Sequence, residues 1–362
     1  MLVIDDATIA LDRLYKEVMS DLDEEGGGIR WMQGQLDLQR ACLIGEYFLS
    51  AISGVGGSIH AAVFCVERHR QKTFSDNDWL ARRWEQVRKN PRATREDYLK
   101  AMARGKAETD RELEIAISAD HCLFHLAQAL DRLAVCIAVV AALRLRLPLL
   151  RLDWPLLAAV AKGFTEKGDE LRKQTPAGKV EQDAILAAVA TEPAKHGPRD
   201  WLPWLLQARN TVTHRAPMIS FAVLTEARGR PAGLARPFSR QPGWDQTEGL
   251  LAGWSRNGLP SVLLNDEPTA TLGGLTQSVA QTVAVLMDHC TSLLLKRRAE
   301  PALLVQPGSQ WPTYLEGSLL KFEGYGSPVR GANLGAINVS SDYAARMRAF
   351  RIGDRWASFW MT

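Results

Sequence analysis

The chain has 362 residues, 46% of them hydrophobic and 23% charged, which is the composition of a soluble globular protein with a large core. Its formal net charge of +3 is compatible with an RNA ligand but does not indicate an extensive nucleic-acid-binding surface. The five cysteines show no CxxC spacing, so they are expected to be reduced residues of a cytoplasmic protein. The most apolar run, from Leu133 to Leu143, is too short to span a bilayer, and no membrane segment is expected.

Hydrophobic periodicity predicts helices throughout the first part of the chain. They lie at 7–20, 35–69 and 76–89. Three glycines, Gly54, Gly56 and Gly57, interrupt the second one and predict a close helix crossing or a kink. They do not predict a phosphate loop, because no strand precedes them and no Lys-Ser/Thr pair follows. Residues 94–97, Thr-Arg-Glu-Asp, resemble a capping box that opens another helix.

The middle of the chain is predicted to be a helical bundle with a small hairpin. Its helices are expected at 108–146, from Asp153 to about 174, and at 179–190, 200–216 and 275–298. A strand at 218–225 is expected to pair with one at 261–264. The stretch between them interleaves basic and aromatic residues: Arg228, Arg230, Arg236, Phe238, Arg240, Trp244 and Trp254. It suits single-stranded RNA, or it is a mobile surface excursion that packs its two tryptophans on the bundle.

Helical periodicity fades after residue 300. Short strands are predicted at 302–305, 318–322, 336–339 and 355–360, with a short helix at 342–351. The sequence therefore predicts a mainly α protein: a helical bundle with a small β-hairpin insertion and a short β-rich C-terminal tail. The predicted segments are an N-terminal helical region at 1–107, the bundle at 108–300 and the tail at 301–362.

The most informative segment is Arg209-Asn210-Thr211-Val212-Thr213-His214, at the end of the helix predicted at 200–216. Asp200 is placed to cap that helix, and Pro203 is tolerated in its first turn. Pro217 disfavours helical geometry in the residue before it, so the helix is predicted to end there.

The residue types in this segment suit phosphodiester chemistry. Residues four apart share a helix face, so Asn210 and His214 point the same way, and the long stem of Arg209 reaches the same region. An imidazole exchanges protons near neutral pH, a guanidinium binds phosphate oxygens, and an amide positions either partner. The alternative is that these groups only bond backbone carbonyls or one another at a helix end.

Arg-Asn-x-x-x-His at the end of a helix resembles the signature of the HEPN superfamily (higher eukaryotes and prokaryotes nucleotide-binding). The stretch at 125–134, His-Leu-Ala-Gln-Ala-Leu-Asp-Arg-Leu-Ala, resembles the long helix that packs beside the motif helix in several HEPN groups. The resemblance covers about residues 110–300. It implies a metal-independent endoribonuclease, often a toxin or antiphage effector, with its active site between two chains. The toxins paired with a nucleotidyltransferase antitoxin carry Tyr two residues after the His, where this chain has Ala216, so that pairing is not expected.

A polar stripe accompanies the motif on the predicted long helix. His121 and His125 are four residues apart, and Arg132 continues the same stripe. The spacing of the two histidines can bind zinc, but no third ligand is evident, so no metal is expected and the stripe is predicted to line the cleft near His214 or to satisfy other buried polar groups. Asp131 lies beside the stripe and is expected to hold Arg209 through a charge-assisted hydrogen bond.

The sequence thus predicts a cytoplasmic endoribonuclease without a cofactor. His214 would transfer the proton, Arg209 would stabilise the phosphate, Asn210 would position one of them and Arg215 would add phosphate attraction. A homodimer is expected, with RNA as substrate and an antitoxin or defence-system protein as a further partner. The alternative is a HEPN-like bundle that does not cut RNA and serves as a scaffold or nucleotide-sensing module.

Overall fold

The computed structural model describes residues 4–143, 149–163, 176–214, 221–227, 230–305, 324–326 and 340–350. Within these ranges the chain is mainly helical, with a small two-stranded antiparallel sheet, and the predicted fold class is confirmed in that form. The helices are α1 (Asp5–Ser20), α2 (Leu38–Arg88), α3 (Arg95–Ala101), α4 (Lys106–Val140), α5 (Trp154–Ala161), α6 (Pro176–Thr191), α7 (Trp201–His214), α8 (Thr247–Asn257), α9 (Pro268–Ala299) and α10 (Ser341–Ala349).

Helix α2 is one continuous helix of 51 residues, where the sequence predicted two separate helices. The polar residues that interrupt the apolar pattern are held by ion pairs instead of forming a loop. Arg70 pairs with Glu67 within the helix at 2.7 Å, and Lys72 pairs with Glu114 of α4 at 2.7 Å. Gly57 has no described atom within 4 Å of the position a Cβ would take, so it does not mark a close helix crossing.

Helix α4 ends at Val140, six residues before its predicted end, where Ala142 takes a positive φ of 48°, and side chains from elsewhere satisfy the carbonyls at this end. The guanidinium of Arg297 donates to the carbonyl oxygens of Val139 at 3.0 Å and Val140 at 2.6 Å. The side-chain amide of Gln182 donates to the carbonyl oxygen of Ala141 at 2.7 Å. Residues 144–146 of the predicted helix lie outside the described residues.

Several predicted helix starts are confirmed by their caps. Thr94 and Asp97 form the predicted capping box of α3. The carboxylate of Asp153 accepts a hydrogen bond from the backbone N–H of Leu156 at 2.9 Å, which caps α5. The predicted end of that helix near 174 lies outside the described residues. The helices predicted at 7–20, 179–190, 275–298 and 342–351 correspond to α1, α6, α9 and α10.

The hairpin joins strands that are adjacent in the chain, β1 (Val223–Ala227) and β2 (Arg230–Ala235). The predicted pairing with 261–264 is wrong, because the short connection between β1 and β2 lets them pair locally. Residues 259–261 form a 3-10 turn, and Leu263 makes only an isolated bridge with Ser239. The strand predicted at 302–305 is also wrong, since 301–303 form a 3-10 turn. The strands predicted at 318–322, 336–339 and 355–360 lie outside the described residues.

The described residues fall into two compact units. The first is built from the described residues of Met1–Thr8, Gly54–Leu130 and Thr191–Val285, and the second from those of Ile9–Ser53, Asp131–Ala190 and Leu286–Thr362. The first unit contains a core cluster of Leu80, Trp84 and Leu234, and the second buries residues such as Leu14, Ile44 and Phe48. The predicted boundaries at 107/108 and 300/301 fall inside the first and second units, respectively.

Helices α2, α4 and α9 are each long and apolar enough to cross a membrane, judged by length and composition alone. The same property is required of core helices, and 72% of the most apolar window of α4 is buried within the protein. The absence of a membrane segment and the cytoplasmic location stay predictions.

Candidate functional site

Helix α7 carries the Arg-Asn-x-x-x-His motif in its last two turns and has two distinct faces. One face is buried and consists of Trp201, Leu205, Ala208 and Thr211. Asn210 and His214 are exposed on the opposite face, as their four-residue spacing requires, and Arg209, their neighbour in the chain, is half-buried. The motif therefore presents an amide and an imidazole to solvent from a helix whose other side is packed.

The start of α7 differs from the expected cap. Asp200 has a φ of 63°, in the left-handed region that an Asp adopts only occasionally, whereas an N-cap residue usually has extended backbone. Its backbone carbonyl oxygen accepts a hydrogen bond from the N–H of Trp204 at 3.0 Å. Trp201 anchors this end further, because its indole N–H donates to the carbonyl oxygen of Pro193 at 2.8 Å.

Residues 238–245, here named the strap, lie along α7. Three α7 side chains spaced three or four residues apart hold it: Trp204 donates to the Ser239 carbonyl at 3.0 Å, Gln207 to the Asp245 carboxylate at 2.6 Å, and Thr211 to the Pro242 carbonyl at 2.8 Å. The ring of Phe238 also packs edge-on against Trp204, with ring centroids 5.6 Å apart. Part of the predicted insertion therefore adjoins the motif helix.

The candidate catalytic residues lie at the carboxyl end of α7. Thr213 donates its hydroxyl to the carbonyl oxygen of Arg209 at 2.7 Å, so its side chain is turned back onto the helix. His214 is the last helical residue. Arg215, the predicted additional phosphate ligand, and Pro217, the predicted helix terminator, lie outside the described residues.

The two histidines of the polar stripe are neighbours on α4. His121 is exposed, His125 is half-buried, and their ring centroids are 6.4 Å apart in an edge-on arrangement. Gln128, one turn further, accepts a hydrogen bond from the hydroxyl of Ser58 at 3.2 Å. Among the described residues, His, Cys, Asp and Glu side chains form no group of three able to hold a metal ion. The position of the stripe beside the motif helix stays a prediction.

Asp131 and Arg132 belong to the second unit, whereas His121, His125 and α7 belong to the first. The Asp131 carboxylate accepts a hydrogen bond from the backbone N–H of Trp154 at 2.9 Å and so orients the start of α5. Burial lowers the pKa of Arg132, an effect opposed by the nearby hydroxyl of Tyr47. The proposed bond between Asp131 and Arg209 stays a prediction.

The basic and aromatic residues of the insertion have different environments. Arg236 is bonded to Asp76 and to Glu112, the latter at 2.9 Å, so carboxylates of the protein already balance much of its charge, and contact of Arg236 with RNA stays a prediction. Trp244 and Trp254 are 44% and 41% exposed, so both indoles have an accessible surface. Arg228 and the side chain of Arg230 lie outside the described part of the structure.

A group of buried polar residues was missed by the sequence analysis. Asp76 and His69 are on α2 and are buried, and they lie beside an open pocket of the first unit. A polar residue at a helix position with apolar neighbours indicates a buried polar group in the sequence. That pattern does not show which residue the buried group bonds to. Their partners, Arg104, Arg236 and Thr269, come from distant parts of the chain.

These observations define a mainly helical protein whose motif helix exposes an amide and an imidazole at its carboxyl end and carries a half-buried arginine, Arg209, in the same two turns. Comparison of the chain with protein-family models, curated proteins and solved structures finds no match. The chemistry available at this helix end is proton transfer by the imidazole and binding of an oxyanion by the guanidinium and the amide.

Proposed function

We propose that this protein is a metal-independent endoribonuclease of the kind found among HEPN effectors. The observation that carries the proposal is that Asn210 and His214 share the exposed face of the last turns of α7, in the same segment as the half-buried Arg209. A ribonuclease of this class needs a proton carrier and an oxyanion-binding cation at one accessible place, and these side chains are the corresponding types.

In the proposed reaction the nucleophile is the 2′-hydroxyl of the RNA itself. A base removes its proton as the oxygen attacks phosphorus, the bond to the 5′-oxygen breaks, and an acid returns a proton to the leaving oxygen. The products are a 2′,3′-cyclic phosphate and a 5′-hydroxyl. His214 carries protons, Arg209 stabilises the pentacoordinate phosphate, and Asn210 positions one of these groups or the phosphate. No metal or other cofactor takes part.

We propose further that two chains form the site together. One chain supplies a single His214, whereas the reaction uses both a base and an acid. A two-fold axis near the end of α7 would bring two His214 and two Arg209 side chains to one cleft, by the same patch on each chain. Arg215 would add positive charge there.

The strap supports single-stranded RNA as the substrate class. It is hydrogen-bonded along α7, and Trp244 within it is 44% exposed. An accessible indole next to the site offers a stacking surface to an unpaired base, which a base inside a duplex cannot use.

The test is cleavage of single-stranded RNA by the purified protein in the presence of EDTA. We expect products with 2′,3′-cyclic phosphate ends, and loss of cleavage in His214→Ala and in Arg209→Ala. The exposed His60 and Arg82 of α2 provide matched controls, since His60→Ala and Arg82→Ala make the same changes outside the site. Intact RNA after incubation with folded wild-type protein, or equal activity in His214→Ala, would contradict the proposal and favour the non-catalytic scaffold.

A toxin or antiphage role follows from this activity as a proposal about the cell. Induced expression should then arrest bacterial growth, and His214→Ala should relieve the arrest while the protein accumulates to the same level. A neutralising antitoxin or defence-system partner would restore growth without altering that level. Equal arrest by wild type and by His214→Ala would exclude RNA cleavage as the cause.

A further inference from the structure

An open pocket of about 80 Å³ lies in the first unit, and none of its lining residues belongs to α7. Its polar lining comes from α2, from the residue after β2 and from the region where α9 begins. These polar residues are His69, Thr73, Asn77, Arg236, Glu267 and Thr269. The apolar side of the pocket is formed by Ile115, Leu234 and Pro268, together with Ala235. The pocket therefore has a polar part and an apolar part, as small-molecule sites commonly do.

Behind the polar part lies a network of charged residues around the buried Asp76. Asp76 is 1% exposed and receives two hydrogen bonds from Arg104, at 2.8 and 2.9 Å. Arg236 contacts Asp76 at 3.4 Å and Glu112 at 2.9 Å, and Arg111 lies 3.8 Å from Asp76. Three guanidinium groups thus lie near the carboxylates of Asp76 and Glu112, and the charge of Glu108 also acts on Arg104, so the network as a whole is close to neutral. Of these residues, Arg236 is the one that also lines the pocket.

Several polar side chains of the pocket have donor or acceptor atoms that could still bond to a ligand. The hydroxyl of Thr73 is buried and has no hydrogen-bond partner among the described residues. His69 uses Nδ1 for a contact of 2.9 Å with the Thr269 hydroxyl, which leaves its Nε2 for a ligand. The side-chain oxygen of Asn77 accepts from the N–H of Leu234 at 3.0 Å, which leaves its NH₂ group as a donor. A buried hydroxyl without a partner is unfavourable, so a ligand that bonded it would recover that loss.

The start of α9 adds to the positive potential of this region. Thr269 is the second residue of α9, and the free backbone N–H groups of a first helical turn attract negative charge. Glu267 also lines the pocket, but it is exposed and therefore solvated. Because the charge network is close to neutral and Glu267 is nearby, the site suits an anion of low charge and not a polyphosphate.

We infer that this pocket binds a small organic oxyanion, a carboxylate or a phosphate monoester. Its oxygens are bound by Arg236, by the hydroxyl of Thr73 and by the amide of Asn77. Its organic part packs against Ile115, Leu234 and Pro268. The site is separate from the proposed ribonuclease chemistry and does not depend on it.

The experiment measures the thermal stability of the full chain and its heat of binding with three probes at matched ionic strength: inorganic phosphate, phenyl phosphate and benzoate. Sodium chloride is the salt control. We expect at least one of the two organic anions to raise the Tm and to bind more tightly than inorganic phosphate. The preferred organic anion distinguishes a phosphate ester from a carboxylate. No Tm increase beyond the chloride control, or inorganic phosphate binding as tightly as both organic anions, would overturn the inference.

Two variants test the assigned residues. Arg236→Gln should weaken binding roughly 10- to 100-fold, the range for loss of a hydrogen bond to a charged group. Thr73→Val should weaken binding while keeping or raising the Tm without ligand, because it removes a buried hydroxyl that has no described partner. Arg70 is on α2, like Thr73, but does not line the pocket, so Arg70→Gln is the matched control for the loss of an arginine charge. Unchanged binding in both Arg236→Gln and Thr73→Val would refute the site.

Discussion

The indole N–H of Trp204 donates a hydrogen bond of 3.0 Å to the carbonyl oxygen of Ser239, so the motif helix and the strap are bonded to each other. The same indole contacts the ring of Phe238 edge-on. Because further bonds follow at Gln207 and Thr211, the face of α7 beside the motif is held along more than one turn. The exposed residues Asn210 and His214 thus project from a helix whose rotation about its own axis is restrained.

Loss of that bond should loosen the motif helix without removing any catalytic group. Trp204→Phe keeps an aromatic ring against Phe238 but leaves the Ser239 carbonyl without the indole donor, so we expect about 1 kcal/mol less stability in urea denaturation. Cleavage should fall through kcat more than through KM. Gln246→Ala, which alters a polar side chain just beyond the strap, serves as a control. A variant with unaltered stability and rate would show that the bond does not support the site.

A site shared by two chains should be inactivated when wild type exchanges subunits with an inactive variant. His214→Ala is expected to be inactive, and a mixed dimer with wild type retains a single His214 in the common cleft, which cannot act as both base and acid. Subunit exchange with excess His214→Ala should therefore lower cleavage below that of the same amount of wild type alone, and light scattering should show a dimer. A monomer that cleaves RNA at the full rate would exclude the shared site.

The exposed indole of Trp244 should contribute to RNA binding and not to the chemical step. Stacking of one base on an aromatic ring contributes about 1–3 kcal/mol, so Trp244→Ala should raise KM for single-stranded RNA roughly 5- to 100-fold with kcat nearly unchanged. Trp244→Phe should recover much of the affinity because a ring remains. An equal KM for wild type and Trp244→Ala would contradict this prediction.

His69 should make the stability of the protein depend on pH. Burial, together with the charge of Arg236, lowers the pKa of His69 from 6.5 to about 4, so the folded protein keeps this imidazole neutral. Between pH 6.5 and 4 the unfolded chain binds a proton that the folded chain does not, and stability falls as the pH falls through this window. The expected loss is about 3 kcal/mol at most.

The measurement is urea denaturation of wild type and His69→Asn between pH 7 and 4, where Asn can still bond to Thr269. The variant should show a smaller loss of stability across this range. Asp76 does not confuse the comparison: despite its burial, hydrogen bonds from Arg104 lower the pKa of Asp76 below 3.8, so it titrates at lower pH. Parallel pH profiles of the two proteins would contradict a neutral, buried His69.

The sequence by itself determined those features of this protein that depend on near neighbours in the chain. The capping box of Thr94 and Asp97 and the cap at Asp153 are made within three residues, and the periodicity of α1 and α9 is equally local. The common face of Asn210 and His214 follows from helix geometry alone. These features were predicted because the residues that make them are a few positions apart.

Only the tertiary structure decided the features that depend on distant partners. Lys72 of α2 meets Glu114 of α4, and Arg297 reaches the carbonyls of Val139 and Val140 at the end of α4. The folded chain places Arg236 against Asp76, 160 residues away. A buried charge must find an opposite charge or a hydrogen bond, and the fold, not the neighbouring sequence, determines which partner is within reach.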